Sequence, residues 1–573
     1  MKASHRVVSA GSMSASKGMG RKGRLSVLGI VILACGGDKT PASPGTVPVL
    51  SSLNVGAPSS SIVIGGTVQI TAAPRDQTGA SLSASLTWSS ANTGRAMVSG
   101  DGVVTGVAAG ASTITVVASV GTKTISKDIT INVMPTWSGP PPPRNVLVNN
   151  PAASTIPDIA QKEPTIAVFG SKIVVGWNDE SILLGQTVRG VRSSVGFGFS
   201  ADGGATFTDA GEVGSSHWGA DPSVTVDRAG NFYFGRFDFV PGSTSLDYIA
   251  VFKSRDGGHS FSQPVSASAA DGPGVHDKPT IVADNTGGPF DGNVYASWTL
   301  ANGDLKLKFS ASTDGGGSFS TPIFLTDGAN DQWSFPAVGP SGEVYVLWRN
   351  GASQQLYVRK SIDGGHTFAP PVLVASVVPI GAPEETAQYC GPVLKGQLRA
   401  NGAPILAIDR SGGPTNGSLY VVFNSHGAGD DRADVYLTRS RDGGQTWSAP
   451  VQLNDDATTN DQFMPFVVVA PNGTVAVSWY DRRQDPQNLL MDLFMRVSTD
   501  GGTSFGQNVK ITDVSFPSPG LNTKLGFPPY TCYMSSYNFM AADTKNFYVV
   551  WTDNRMVTSS IIDSNIMFAK VPY

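Results

Sequence analysis

Apolar and polar positions alternate in short runs along most of this chain. SIVIGGTVQITAAP (61–74), SLTWSS (85–90) and STITVVAS (112–119) have a period of two and end in turn residues. That pattern predicts half-buried strands in a sandwich of about 85 residues spanning 48–133. Met134–Arg144 (MPTWSGPPPPR) holds four consecutive prolines, a semi-rigid linker that marks a boundary. From 145 to 573 the alternation becomes more strongly apolar. Runs such as IVVGWNDE (173–180), FYFGRFD (232–238), VYVLWRN (344–350), VAVSWYDRR (475–483) and FYVVWTDNR (547–555) close on an aromatic and polar residues. Each is preceded by a strand that contains or follows an acidic or polar residue and usually a proline: Glu163-Pro164, Asp221-Pro222, Asp277-Lys278-Pro279 and Asp461-Gln462-Phe463-Met464-Pro465. Tight turns between the two, such as 227–231 and Pro471-Asn472-Gly473, predict hairpins.

A second signal overlies this one. Ser-x-Asp-Gly-Gly-x-Ser/Thr-aromatic recurs six times, with its Asp at 202, 256, 314, 363, 442 and 500, spaced 54, 58, 49, 79 and 58 residues apart. Repeats of this length in strand-rich sequence predict a propeller. The Asp can accept turn amides and the glycine pair supplies positive φ. Counting strand pairs gives seven blades, with six as the alternative. The segment 145–149 is available as the fourth strand of the last blade, closing the ring and removing a sheet edge.

Composition supports an all-β chain with many turns. There are 67 Gly and 38 Pro in 573 residues, and charged residues are only 15%. A net charge of −4 offers no basic field for nucleic acid. Three cysteines exclude a disulfide-dense scaffold and a four-cysteine zinc site. No cofactor motif is present, and acidic turns such as 454–456 and 291–293 read as ordinary turns rather than calcium loops. At the start, Arg21-Lys22-Gly23-Arg24 precedes a ten-residue apolar run, 25–34, that ends at Cys35. The run is too short to span a bilayer and fits a signal peptide.

Three resemblances follow from these motifs. Ile32-Leu33-Ala34-Cys35-Gly36 resembles a bacterial lipobox, which implies a signal peptide over 1–34, lipidation of Cys35, a tether over 35–47 and a place at the bacterial cell envelope, held to the membrane by the lipid anchor only. Gly65-Gly66-Thr67, Leu86–Ser90, Gly102–Gly106 and Gly110–Ile114 resemble the bacterial Ig-like group 2 domain. The six Asp motifs resemble the Asp-box, or BNR repeat, of sialidase-like β-propellers, where they are structural. The fold expected is therefore an Ig-like β-sandwich followed by a sialidase-like propeller.

In a four-stranded blade the Asp motifs and the start of strand 1 lie on opposite faces. The latter mouth collects the chain's scarce charges and two long insertions, about 375–403 with Cys390 and about 514–538 with Cys532, two cysteines available to pair. Exo-sialidases use three Arg to hold a carboxylate, a Tyr nucleophile assisted by Glu, and an Asp acid/base. By that resemblance Arg236, Arg349, Arg483 and Arg555, with Asp481, are substrate-binding candidates. Tyr480, Tyr533 or Tyr537 is the candidate nucleophile, and Glu163, Asp179, Glu180 or Asp221 the acid or base. The family's Arg-Ile-Pro signature is absent, and Lys162-Glu163-Pro164 stands there instead. Two readings stay open: a monomeric propeller that binds a glycan, glycoprotein or other protein partner, and a glycoside hydrolase of sialidase type.

Overall fold

The computed structural model describes residues 47–573 apart from 58–59, 152–160, 180–193, 215–218, 240–246, 272–274, 388–390, 400–401, 428–430, 519–531 and 559–560. Of 382–387, 391 and 557–563 no side chain is described. The expected signal peptide, Cys35, the tether up to residue 46, Glu180 and Cys390 lie outside the described residues. Val49–Tyr573 forms one compact unit.

The N-terminal part is a sandwich of short strands. Lys123–Met134 pairs in parallel with Ser61–Val63 and antiparallel with Gly110–Val120, which pairs in turn with Ser85–Ser90. Alternate residues of these strands (Ile114, Val116, Ala118; Ile131, Val133) are fully buried, as the period of two requires. Trp88 is half-buried and packs on both apolar clusters of the domain. Gly102 sits against its ring at φ +85°, and a Cβ there would lie 2.8 Å from the indole.

Residues 145–573 form a β-propeller. Among the described residues, six sheets are antiparallel meanders of four strands whose first strands are Gln161–Phe169, Gly219–Val226, His276–Ala283, Asp331–Val338, Ile405–Ile408 and Gln462–Val469, the last with Phe516–Pro517 added beside its third strand. In the seventh, Phe539–Ala542, Asn546–Thr558 and Ile561–Pro572 are joined by Asn145–Leu147 from the other end of the chain. Val146 pairs with Phe568, and Asn149 donates to Asn565 at 2.8 Å, so the first and last blade segments share one ladder. The seven first strands touch each neighbour in a closed cycle around the axis. Apolar clusters fill the wedges between consecutive sheets, with Trp177, Trp298, Trp348, Trp479 and Trp551 buried on second strands.

The six Ser-x-Asp-Gly-Gly turns lie between third and fourth strands. In one, Asp256 accepts from Ser254 Oγ (2.8 Å), Ser260 N–H (3.0 Å) and Ser260 Oγ (2.6 Å), and Gly257 and Gly258 take φ of 83° and 91°. Slight burial opposes ionisation, but the hydrogen bonds from Ser260 and Ser254 hold the Asp256 carboxyl at about 2. These aspartates close their own turns.

A second repeated device lies at the opposite end of the first strands. The register of Gln161–Phe169 against its neighbour jumps from Lys162 to Thr165, leaving Glu163 and Pro164 as a bulge. Equivalent jumps occur at Ala220/Ser223, Asp277/Thr280, Gln332/Phe335 and Phe463/Phe466. The first bulge residues, Glu163, Asp221, Lys278, Trp333 and Met464, all have φ between 50° and 62°. Proline fits the second position because no ladder hydrogen bond is needed there. Left-handed backbone at a non-glycine residue costs about 1–3 kcal/mol, so five such residues in a ring mark a built feature.

Candidate active site

Three consecutive bulges place Glu163, Asp221 and Lys278 together. Lys278 Nζ donates to Glu163 Oε1 at 2.7 Å and to Asp221 Oδ1 at 3.0 Å. Its backbone N–H donates to Asp221 Oδ2 at 3.1 Å. Asn178 donates to Glu163 Oε2 at 2.8 Å and accepts the Asp221 N–H at 2.8 Å, fixing both bulges to one side chain. Two loop tyrosines complete the cluster. The Tyr533 hydroxyl hydrogen-bonds to Glu163 Oε1, lies 2.9 Å from Ser536 Oγ and 3.5 Å from Lys278 Nζ. The Tyr537 ring stands 5.6 Å from Lys278 Nζ, with Trp333 on another side at 5.5 Å. Lys162 and Arg399 lie over the faces of the Tyr533 ring at 5.2 and 5.0 Å. A cavity beside Lys278 is lined by Pro222, Trp333, Phe335, Pro404 and Tyr537, from two first strands and two connecting segments.

The electrostatics split the two carboxyls. Burial resists ionisation of Glu163, but the Lys278 ammonium and hydrogen bonds from Asp221, Lys278 and Tyr533 bring it down to about 2. Burial pushes Asp221 well above the carboxylate range; Lys278 pulls it back, while charge on Glu163 and Asp277 pushes it further up. The surroundings thus drive the two carboxyls apart, Glu163 downward and Asp221 upward, around one ammonium, which the pair holds charged against its burial. Burial and the Glu163 charge raise Tyr533, so its phenol stays neutral.

Of the expected catalytic residues, the structure brings Glu163 and Asp221 together and leaves two elsewhere. Asp179 accepts from Gln161 at 3.0 Å. Tyr480 is corrected as a nucleophile candidate: it is fully buried between Phe463 and Phe516, and its hydroxyl donates to the Thr552 carbonyl at 2.8 Å. The arginine clamp is also corrected. Arg236 is buried against Asp238 (3.0 Å) and the Phe252 ring. Arg349 bonds Gln354 and the Gly402 carbonyl. Arg483 forks onto Asp481 (2.8 and 2.7 Å) and reaches Asp455, and Arg555 does the same to Asp553 while reaching Asp513. In both, the carboxylate also accepts the indole N–H of Trp479 or Trp551 at 2.8 Å. Trp-x-Asp-x-Arg is thus a brace repeated in neighbouring blades, and Asp481 belongs to it. Sequence reasoning missed Lys278, Trp333 and Asn178. For Lys278 the usable signal was its place directly before Pro279, because that position, not Asp277, occupies the bulge; Trp333, followed by Ser334, and Asn178 carried no such signal.

Residues 50–129 match the family model of the bacterial Ig-like domain (group 2). No curated protein matches the chain. Among solved structures, a protein of unknown function from Dyadobacter fermentans is 15% identical over 59% of this chain and 93% of its own, with a TM-score of 0.38. The NanB sialidase of Streptococcus pneumoniae is 10% identical over 88% of both chains (TM-score 0.38). The α-L-arabinofuranosidase Arb93A of Fusarium graminearum is 15% identical over 60% and 93% (TM-score 0.38).

Proposed function

We propose that the propeller cleaves glycosidic bonds at the mouth opposite the Ser-x-Asp-Gly-Gly turns. One observation carries this reading: a phenol, a carboxyl held low and a carboxyl held high meet around one ammonium. Tyr533 is the nucleophile, and Glu163, which already accepts its proton in a hydrogen bond, is the base that takes it as the oxygen attacks the anomeric carbon. Asp221 is the acid that protonates the leaving oxygen, the role that a raised carboxyl serves. Water then releases the sugar from Tyr533, with inversion at each step and retention over both. Trp333 and Tyr537 offer ring faces against which a sugar can pack. With the lipobox at Cys35, the enzyme would act from an anchor at the bacterial cell envelope, with the Ig-like domain as its stalk.

The test is a panel of aryl glycosides covering neutral hexosides, pentosides, uronides and sialosides. The wild type is expected to release aglycone from at least one class, and Tyr533→Phe and Glu163→Gln to lose about 100-fold or more in kcat with unchanged circular dichroism. Release from no class sinks the enzymatic reading and leaves glycan binding, which Trp333 and Tyr537 also suit and a glycan array would read.

A further inference from the structure

Tyr533 reaches the site from a loop, whereas Glu163, Asp221 and Lys278 stand on blade strands. The residue before it, Cys532, is 1% exposed and disulfide-bonded, with a partner outside the described residues. The remaining cysteines are Cys35 and Cys390. Strand Gly391–Leu394, which follows Cys390 directly, carries Val393, the apolar neighbour of Cys532. Further along that hairpin, Arg399 donates its N–H to the Cys532 carbonyl at 2.8 Å and lays its guanidinium over the Tyr533 ring. The same hairpin is tied to the second insertion a third time: the buried Arg482 donates to the Lys395 carbonyl (2.9 Å) and to Ser518 Oγ (2.6 Å).

We propose that the Cys532 disulfide, closed to Cys390, is a clasp that positions Tyr533 on Glu163, and that reducing it releases the tyrosine while the blades stay intact. A nucleophile must be held within a few tenths of an ångström of its base, and a loop does this only when cross-linked to something fixed. Here two loop insertions, one following the fourth sheet and one following the sixth, are fixed to each other beside the axis. Opening takes two electrons and two protons from a dithiol, which itself becomes a disulfide, and gives two cysteine thiols. The functional consequence rests on Tyr533 being the nucleophile; the positional one does not.

The experiment therefore reads position and activity separately. Wild-type protein is acetylated with N-acetylimidazole before and after dithiothreitol, and modified tyrosines are located by peptide mass spectrometry, with a non-reducing map of the disulfide. The expected result is a Cys390–Cys532 peptide, Tyr533 acetylation rising about tenfold on reduction, and Tyr480 still protected inside its blade. Reoxidation restores protection. Any glycosidase activity falls and returns in step. Cys532→Ser repeats the reduced state. Cys532 paired with Cys35, unchanged Tyr533 labelling, or Tyr480 and Tyr533 rising together each overturns the clasp. Labelling that responds in a protein with no glycosidase activity supports the clasp and refutes the enzymatic reading.

Discussion

Replacing Lys278 by methionine removes the only ammonium that touches both Glu163 and Asp221 among the described contacts. The contacts are 2.7 and 3.0 Å; at an effective dielectric of about 20 the pair with ionised Glu163 is worth about 6 kcal/mol before desolvation, while the contact to the raised Asp221 counts as a charge-assisted hydrogen bond. Desolvation of buried charges offsets most of that, and removing one partner of such a group typically costs about 3–5 kcal/mol. The titration of Glu163 gives a similar size: the drop from 4.5 to about 2 corresponds to about 3 kcal/mol. The sign follows from the direction. A depressed carboxyl stabilises the fold above about pH 4.5 and loses that contribution as pH falls through about 2. Asp221 is raised already, and without Lys278 it rises further, so its ionisation costs more as pH increases. The gap between wild type and Lys278→Met should therefore be widest at neutral pH, about 3–5 kcal/mol, and narrow as pH falls from about 4.5 toward 2. Urea unfolding followed by tryptophan fluorescence measures it, since Trp333 packs on Lys278. Lys278→Arg, which keeps the charge, should retain most of the stability. Equal stability of Lys278→Met and wild type at neutral pH, or a gap that does not change with pH, would refute the shared-ammonium account.

Three further outcomes follow from the same geometry. Asp256→Ala removes three turn hydrogen bonds and should destabilise by about 1–2 kcal/mol in urea unfolding, while any kcat stays within about twofold, because the turn lies on the face away from Glu163. Arg483→Lys and Arg555→Lys lose forked pairing to Asp481 and Asp553 and should lower the unfolding midpoint modestly; a KM increase of about tenfold or more in either would instead restore the arginine-clamp reading. Val148→Asp puts a carboxylate among Ile166, Trp177, Tyr548 and Phe568, where the first and seventh sheets meet, and should cost more than about 3 kcal/mol or yield aggregated protein on size exclusion.

Much of the architecture was legible because the signals are local. A Gly-Gly pair after Asp closes a turn without reference to the rest of the chain, and period-two alternation buries one face wherever it occurs. The closure of the last sheet by Asn145–Leu147 was legible too, since that segment repeats the apolar pattern of other fourth strands. The site was only partly legible. Glu163 and Asp221 are acidic and precede proline, so they stood out. Lys278 did not, because Asp277 beside it looked like the matching acid; only the register jump shows that Lys278 takes the bulge. The arginines misled for a related reason. Their place at strand ends is readable, but their partners are short-range: an Asp two residues earlier for Arg483 and Arg555, Asp238 two residues later for Arg236, and Gln354 for Arg349.

The bulge explains how a repeated fold yields a site without a dedicated catalytic element. Five of the seven first strands place one left-handed residue at the same register, and the side chains that stand there differ. The ring therefore constrains position and leaves chemistry free: Met464 occupies it buried in the core, Trp333 stands beside Lys278, and Glu163, Asp221 and Lys278 occupy three successive positions as one hydrogen-bonded cluster. Neighbouring first strands touch around the axis, so substitutions at adjacent bulges couple electrostatically. Double substitutions at Glu163 and Lys278 should accordingly be far from additive in stability, with Glu163→Gln relieving much of the loss caused by Lys278→Met. Additive losses within about 0.5 kcal/mol in a double-mutant cycle would show that the three residues are neighbours without being a unit.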